Sequence, residues 1–285
     1  MIPSLPRPAW LRAATAVYLL AFMAFLFMPL IIVAVFSFND APYPAPPWRG
    51  FTLDWFLGNS RLGRTGLFAD SELLGSIWTS CIVAIWVTLL SVLLGTANAF
   101  LIERGRFPGK QSLSVLMLAP LVIPGVILGI SILAFASRIA EFADDAFGLE
   151  LDFLRPGLPL VVLGQFSYIA TIATLTISAR LRRFDRTLEE AASNLGATKA
   201  AVFRTIVLPY LRPALLGSAA ISFLMSFADF NTTLMLVGTD APLTVMMYGR
   251  MREGATPVLN AVSLFLMVAS ALLALAFMRR RPAAN

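Results

Sequence analysis

Six stretches of this chain stay apolar for long enough to cross a bilayer, and they leave it little choice of fold: approximately residues 11–37, 73–101, 112–136, 157–179, 210–238 and 257–278. A membrane-crossing helix needs about 20 apolar residues, because a rise of about 1.5 Å per residue must cover a hydrocarbon core of about 30 Å. Of the 285 residues, 58% are hydrophobic and only 13% are charged, and the mean hydropathy is +0.80. A soluble domain of that composition has too few polar groups to cover its surface. The expected fold is an all-α polytopic membrane protein with six transmembrane helices. Arg7 and Arg12 precede the first run in the manner of a signal peptide, but the run exceeds an h-region of about 7 to 15 residues and reads as a retained first helix.

Loops on the cytoplasmic side of a membrane carry an excess of Lys and Arg. With the N-terminus inside, the inner segments hold Arg7 and Arg12; Arg104, Arg106 and Lys110; Arg180, Arg182, Arg183, Arg186, Lys199, Arg204 and Arg212; and Arg279, Arg280 and Arg281, which is 15 of the 22 basic residues. Eleven of the 16 acids fall on the other side: Asp40, Asp54, Asp70, Glu72, Glu141, Asp144, Asp145, Glu150, Asp152, Asp240 and Glu253. Both termini are therefore expected in the cytoplasm. The chain divides into a first helix with an extracytoplasmic loop (1–72), a membrane core (73–278) containing a cytoplasmic loop (180–209), and a basic tail (279–285). The orientation rule accounts for the net charge of +6 without nucleic acid as a partner. The segment 38–72, with Pro42, Pro44, Pro46 and Pro47, has little hydrophobic periodicity; such a stretch either binds something or is a mobile connection.

The residue inventory argues against an enzyme. There is no histidine, and the single cysteine, Cys81, sits in an apolar run that suppresses its thiolate. No metal centre, disulfide or cofactor is expected. Both lysines, Lys110 and Lys199, fall in expected loops, so a buried Ser-Lys dyad is also missing. No GxxxxGK[ST] phosphate loop is present, so ATP hydrolysis would belong to another subunit.

Asp229 is the one acid expected inside the bilayer, where an ionisable group is costly unless paired or wet and marks function by default. Ser218, Ser222, Ser226, Asp229 and Thr233 recur at steps of four or three and so share a helix face. Asp229 lies roughly 30 Å along from Pro209, in the outer half of the membrane. Ser222, Ser226, Asp229 and Thr233 are candidate substrate-path residues. The competing readings are close helix packing for the hydroxyl residues and, for Asp229, pairing with Arg250 or Arg252. A similar face on the fourth span holds Ser167, Thr171, Thr174 and Ser178. Pro29, Pro120 and Pro124 each remove a backbone hydrogen bond within an expected membrane helix and permit a bend.

The loop 180–209 is the one soluble-looking run in the chain. Thr187 with Glu190 three residues on fits a capping box and predicts a short helix. Gly196 would end it in a left-handed turn. A second short helix, with Val202, Phe203 and Ile206 on one side, would start at Thr198 and lead to Pro209. The sequence EEAASNLGATKAAVFRTIVLP, residues 189–209, resembles the "EAA" loop of permease subunits in bacterial ABC importers: Glu190, Ala191, Ala192, Gly196, Ile206, Leu208 and Pro209 match every specified position. The competing reading is an amphipathic surface helix. Three further stretches resemble the second permease of spermidine/putrescine importers: FSFN with WRGFTLDWF (36–39, 48–56), APLVIPGVILGISIL (119–133) and LTVMMYGRMREGATPVLNAVS (243–263).

The resemblance implies a type I importer permease core in a bacterial inner membrane, with a first helix that packs on the partner permease. It implies three partners besides the lipid: a dimer of ATPase subunits, a second homologous permease and an extracytoplasmic binding protein. The EAA loop would dock into the ATPase, with Ala191 and Ala192 allowing close approach and Glu190 setting register. The substrate implied is a small cation such as putrescine or spermidine. The polyamine branch often has two adjacent acids where this chain has Ala228 and Asp229, and related branches carry opines, iron, thiamine or phosphonates. A secondary transporter using Asp229 as its ion site is a more distant reading, which leaves the EAA-like loop without a purpose.

Overall fold

The computed structural model describes residues 8–254 and 256–279, with side chains described as far as Leu272. Arg7, Arg280 and Arg281, the side chain of Arg279 and the rest of the basic tail lie outside the described residues. Among the described residues the regular structure is helical, with two isolated antiparallel bridges. The helices are α1 (Ala9–Phe36), α2 (Asp54–Leu57), α3 (Ser71–Arg104), α4 (Lys110–Val122), α5 (Gly125–Phe147), α6 (Leu158–Leu181), α7 (Thr187–Asn194), α8 (Lys199–Val202), α9 (Leu208–Phe227), α10 (Asn231–Leu236), α11 (Leu243–Glu253) and α12 (Val258–Arg279). Five stretches among the described residues are long and apolar enough to cross a bilayer: α1, α3, α5, α6 and the run Lys199–Phe227. Two apolar helices are shorter as described, α4 and α12 over Val258–Leu272.

Two of the six expected spans differ in form. The run 112–136 is two helices, because Ile123 is extended (ψ 128°) ahead of Pro124, which caps α5. The proline ring disfavours helical backbone at the residue before it. Helix α5 then continues to Phe147, so Glu141, Asp144 and Asp145 lie on helix and not in a loop. The expected fifth span 210–238 stops at Phe227, and α10 follows after a break at residues 228–230. Pro29 and Pro120, by contrast, stay inside α1 and α4.

The chain divides into two compact units, one of residues 1–74 with 247–285 and one of residues 75–246. The last helix, α12, thus groups with α1 and packs on it, whereas the sequence placed it in the core stretch.

In the first unit the segment after α1 is folded. Trp55 is buried and donates its indole N–H to the Asn39 carbonyl at 2.8 Å. Arg64 pairs with Asp40 (2.6 Å) and Asp54 (3.1 Å) and lies 4.8 Å from the Trp55 ring centre. Phe38 stacks on both Phe51 and Phe56. Asp70 caps α3 by accepting the Leu73 N–H at 3.0 Å, a satisfied helix-end donor. Burial raises the Asp70 carboxyl, but the hydrogen bonds and charge of Arg250 prevail and hold it below the usual carboxylate range. Arg250 also reaches Glu72 at 2.7 Å.

In the second unit α6 is the central helix. Twelve of its residues are buried, from Leu160 to Leu181, and it packs on α4, α5, α9 and α10. A helix apolar all round belongs at the middle of a bundle. One core joins Val83, Val87, Ala136, Leu160, Val161, Ile169 and Leu236. A second core joins Ala99, Ile177, Leu181, Phe184, Val202, Val207 and Leu211 and lies under the loop 180–209. The α6 hydroxyl face is used within the fold. Thr171 donates to the Met117 carbonyl of α4 at 2.7 Å, Thr174 and Ser167 bond their own helix, and Ser178 is buried. Cys81, on α3, is a free thiol.

Candidate functional site

The loop 180–209 forms a knob of two short helices. Helix α7 begins at Thr187, which corrects the expected capping box: no side chain caps the helix from position 186, and Asp185 accepts the Thr187 N–H at 3.0 Å instead. The Thr187 N–H and then its hydroxyl hold the Asp185 carboxyl below the usual range. The C-terminal end follows the expectation. Gly196 has φ +85°, its N–H bonds the Ser193 carbonyl at 3.0 Å, and the Ala197 N–H bonds the Ala192 carbonyl at 3.0 Å. These two bonds satisfy orphan carbonyls by the Schellman arrangement, whose left-handed residue is most readily glycine. Thr198 caps α8 by accepting the Ala201 N–H at 3.3 Å.

Between α8 and α9 the helix widens to a π turn over Phe203–Val207, closed by the Leu208 N–H on the Phe203 carbonyl. Pro209 explains it. Proline has no N–H for the carbonyl four residues back and crowds it, so the preceding turn takes up one extra residue, as single π turns do.

The seven motif residues divide between two sides of the knob. Glu190, Ala191, Gly196, Leu208 and Pro209 are exposed, as are Leu188 and Leu195, the latter 89% accessible. Ala192 and Ile206 instead pack against the core under the loop. The small side chain at 192 thus lets α7 lie close to its own membrane helices.

Contacts that the sequence did not suggest fasten the knob to α3 and α6. Arg104 forms a two-pronged pair with Glu189, one prong at 2.8 Å. Its guanidinium lies 5.0 Å from the Phe100 ring and 5.6 Å from the Phe184 ring. Glu103 accepts from Arg182 at 2.7 Å, and its carbonyl accepts from Arg186 at 3.1 Å. Phe184 meets Tyr210 edge-on at 4.9 Å, and Arg180 lies 4.2 Å over the Tyr210 ring.

The second candidate group surrounds the break after α9. Asp229 follows the end of the helix, which corrects its placement within an unbroken span. Its Oδ2 accepts the Thr233 N–H at 2.9 Å and the Thr233 hydroxyl at 2.7 Å, so the carboxylate caps α10. Its Oδ1 accepts the Tyr168 hydroxyl at 3.0 Å, and its carbonyl accepts from Thr244 at 2.8 Å. Gln165, buried on α6, donates to Thr233 at 2.8 Å and accepts from Ser226. Ser222 and Thr233 are fully buried and Ser226 nearly so, while Asp229 is half-exposed. Of the two partners the sequence offered for Asp229, Arg250 is engaged with Asp70 and Glu72, and Arg252 lies 5.8 Å from the Tyr248 ring centre. Tyr168 and Gln165 were missed because they lie 61 to 68 residues from their partners and are unremarkable in an apolar run.

Comparison with known proteins places this geometry. Residues 91–280 match the family described as the binding-protein-dependent transport system inner membrane component. The chain is 30% identical over 249 residues to the putrescine transport system permease protein PotI of Escherichia coli K12, covering 87% of this chain and 83% of PotI. It is 27% identical over 248 residues to the spermidine/putrescine transport system permease protein PotC of Haemophilus influenzae, covering 87% and 88%. The sulfate transport system permease protein CysT of Salmonella typhimurium is 27% identical over 208 residues, covering 72% and 75%. In fold, the chain resembles a chain of a bacterial alginate ABC transporter solved with an alginate-bound periplasmic protein, at a TM-score of 0.75, 19% identity and coverage of 95% and 94%. It also resembles a chain of the MetNI methionine ABC transporter, at a TM-score of 0.51, 16% identity and coverage of 73% and 92%. The chain therefore belongs to the inner membrane components of binding-protein-dependent transport systems, and is a multi-pass permease subunit of an ABC importer in a bacterial inner membrane.

Proposed function

We propose that this permease forms half of a translocation path for a small polycation of the putrescine or spermidine type, driven by ATPase subunits that dock on the knob at 180–209. The observation that carries the coupling role is the exposed set on that knob. Glu190, Ala191 and Gly196 stand free on a rigid elbow, with apolar Leu188 and Leu195 beside them. An exposed apolar pair rimmed by charge suits a protein partner better than solvent. Ala192 and Ile206 fix the elbow from behind, while the exposed Leu208 and Pro209 set its exit into α9. The chain would span the membrane six times with both termini in the cytoplasm, the α4–α5 pair counting as one broken passage. A second permease completes the path, and an extracytoplasmic binding protein delivers the substrate.

The cationic substrate is supported by two of the relatives, whose names state putrescine and spermidine transport, and by Asp229. A half-exposed carboxylate near the outer part of the path attracts a cation and repels an anion such as sulfate. Ser222, Ser226 and Thr233 belong to the same site as its backing: Ser226 and Thr233 are linked through Gln165, and Ser222 lies one turn below. The test is uptake into proteoliposomes holding the permeases and ATPase, with ATP inside and the binding protein outside. Labelled putrescine accumulates and is displaced by excess spermidine but not by sulfate. Accumulation of sulfate instead, or indifference to spermidine, contradicts the proposal.

A further inference from the structure

We propose that the Arg104–Glu189 pair is the tie that delivers movement of the docked knob to α3; this rests on the coupling role proposed for 180–209. Adjacent glutamates on α7 have opposite surroundings. Glu190 is exposed, whereas Glu189 is 24% accessible and engages Arg104, itself 26% accessible, through both oxygens. An exposed ion pair contributes little. This one is partly withdrawn from water, its guanidinium sits between the Phe100 and Phe184 rings, and a two-pronged fork fixes direction as well as distance.

The other fastenings to α3 lie ahead of α7, where the exposed Arg182 pairs with Glu103 and Arg186, at the helix start, bonds the Glu103 carbonyl; along α7 itself the attachment is slight. Ala192 and Ala197 are small and only partly buried, and Leu188 and Leu195 face away from the core. Flat contacts of that kind resist separation but not sliding, so beyond the Arg186 bond at its start the register of α7 along the end of α3 depends on the fork. Helix α3 is suited to receive a push. From Gly75 to Arg104 it is an unbroken rod of about 45 Å. At Gly95 it crosses α6 almost backbone to backbone: a Cβ placed there would lie 2.8 Å from the Ala173 Cβ and 2.9 Å from the Thr174 nitrogen. Sliding is blocked at that crossing, so α3 and α6 move together, and α6 carries Gln165 and Tyr168 to Asp229. Arg104 and Glu189 are positioning residues: they touch neither substrate nor nucleotide.

The experiment uses the complete complex in proteoliposomes and reads putrescine accumulated per ATP hydrolysed for Arg104→Gln, Glu189→Gln, the double glutamine variant and Arg104→Lys. Wild-type vesicles must first accumulate putrescine with ATP; failure there overturns the proposed function on which this inference rests. Given that activity, each single glutamine variant is expected to retain bound ATPase and lose about tenfold in putrescine per ATP, a coupling of the size contacting residues show. The double variant, which leaves no unpaired charge to disturb folding, falls no further than the worse single one. Arg104→Lys, which keeps the charge but cannot form the fork, recovers only part of the loss. A double variant with wild-type stoichiometry, or losses that multiply, overturns the tie while leaving the importer reading intact.

Discussion

Asp229 has its carboxylate committed to three donors, two from Thr233 and one from Tyr168, and is still half-exposed. That combination separates its two roles experimentally. In Asp229→Asn the amide oxygen keeps the Thr233 bonds, and the amide N–H donates to the Tyr168 oxygen, which accepts as readily as it donates. Folding should survive, with a loss of about 1 kcal/mol as charged hydrogen bonds become neutral. Putrescine uptake by the assembled complex should fall at least about tenfold, the scale of one lost charge contact. Thermal unfolding and uptake measured on the same preparation check both statements, and normal uptake leaves Asp229 a helix cap and nothing more. The acid and its hydroxyl neighbours were legible because their spacing is local. Their order along one face assumed a continuous helix, and the break at Ala228 instead turns the last two residues into a cap and its target.

At the scale of elements, the knob was legible wherever its signals are local and illegible where they are not. Gly196 at the elbow, Thr198 as a cap and Pro209 at the exit each act on backbone within a few residues. Thr187 was misjudged because Asp185, two residues earlier, competes for the same helix end. Arg104 and Glu189, 85 residues apart, have no mark of pairing in the sequence. Gly196→Asp tests the elbow. No atom lies within 4 Å of a Cβ added at Gly196, so the site has room. The left-handed backbone costs a side chain about 1 kcal/mol, too little to unfold the membrane helices. The expected result is a folded permease that no longer co-purifies with its ATPase, or co-purifies without transport. Unchanged uptake contradicts the docking role. The loop 38–72 shows the opposite failure: its order comes from Arg64, Trp55 and Asn39 meeting across the segment, which no periodicity reports.

For the whole molecule, hydropathy located the membrane helices, and Pro124 decided where one expected span breaks, whereas the break at residues 228–230 has no proline and no mark in hydropathy. Hydropathy could not assign α12 to the unit of α1, because lipid-facing and helix-facing apolar residues read alike. The account holds that a chain without a phosphate loop is moved by ATP hydrolysed elsewhere, through the knob. Its rival is an ion-gradient transporter with Asp229 as the ion site. The most direct measurement is uptake of labelled putrescine by proteoliposomes of the whole complex at fixed internal ATP, with and without ionophores that collapse the proton and sodium gradients. The account predicts no uptake without ATP and undiminished uptake without the gradients. Uptake that an uncoupler abolishes at constant ATP contradicts it.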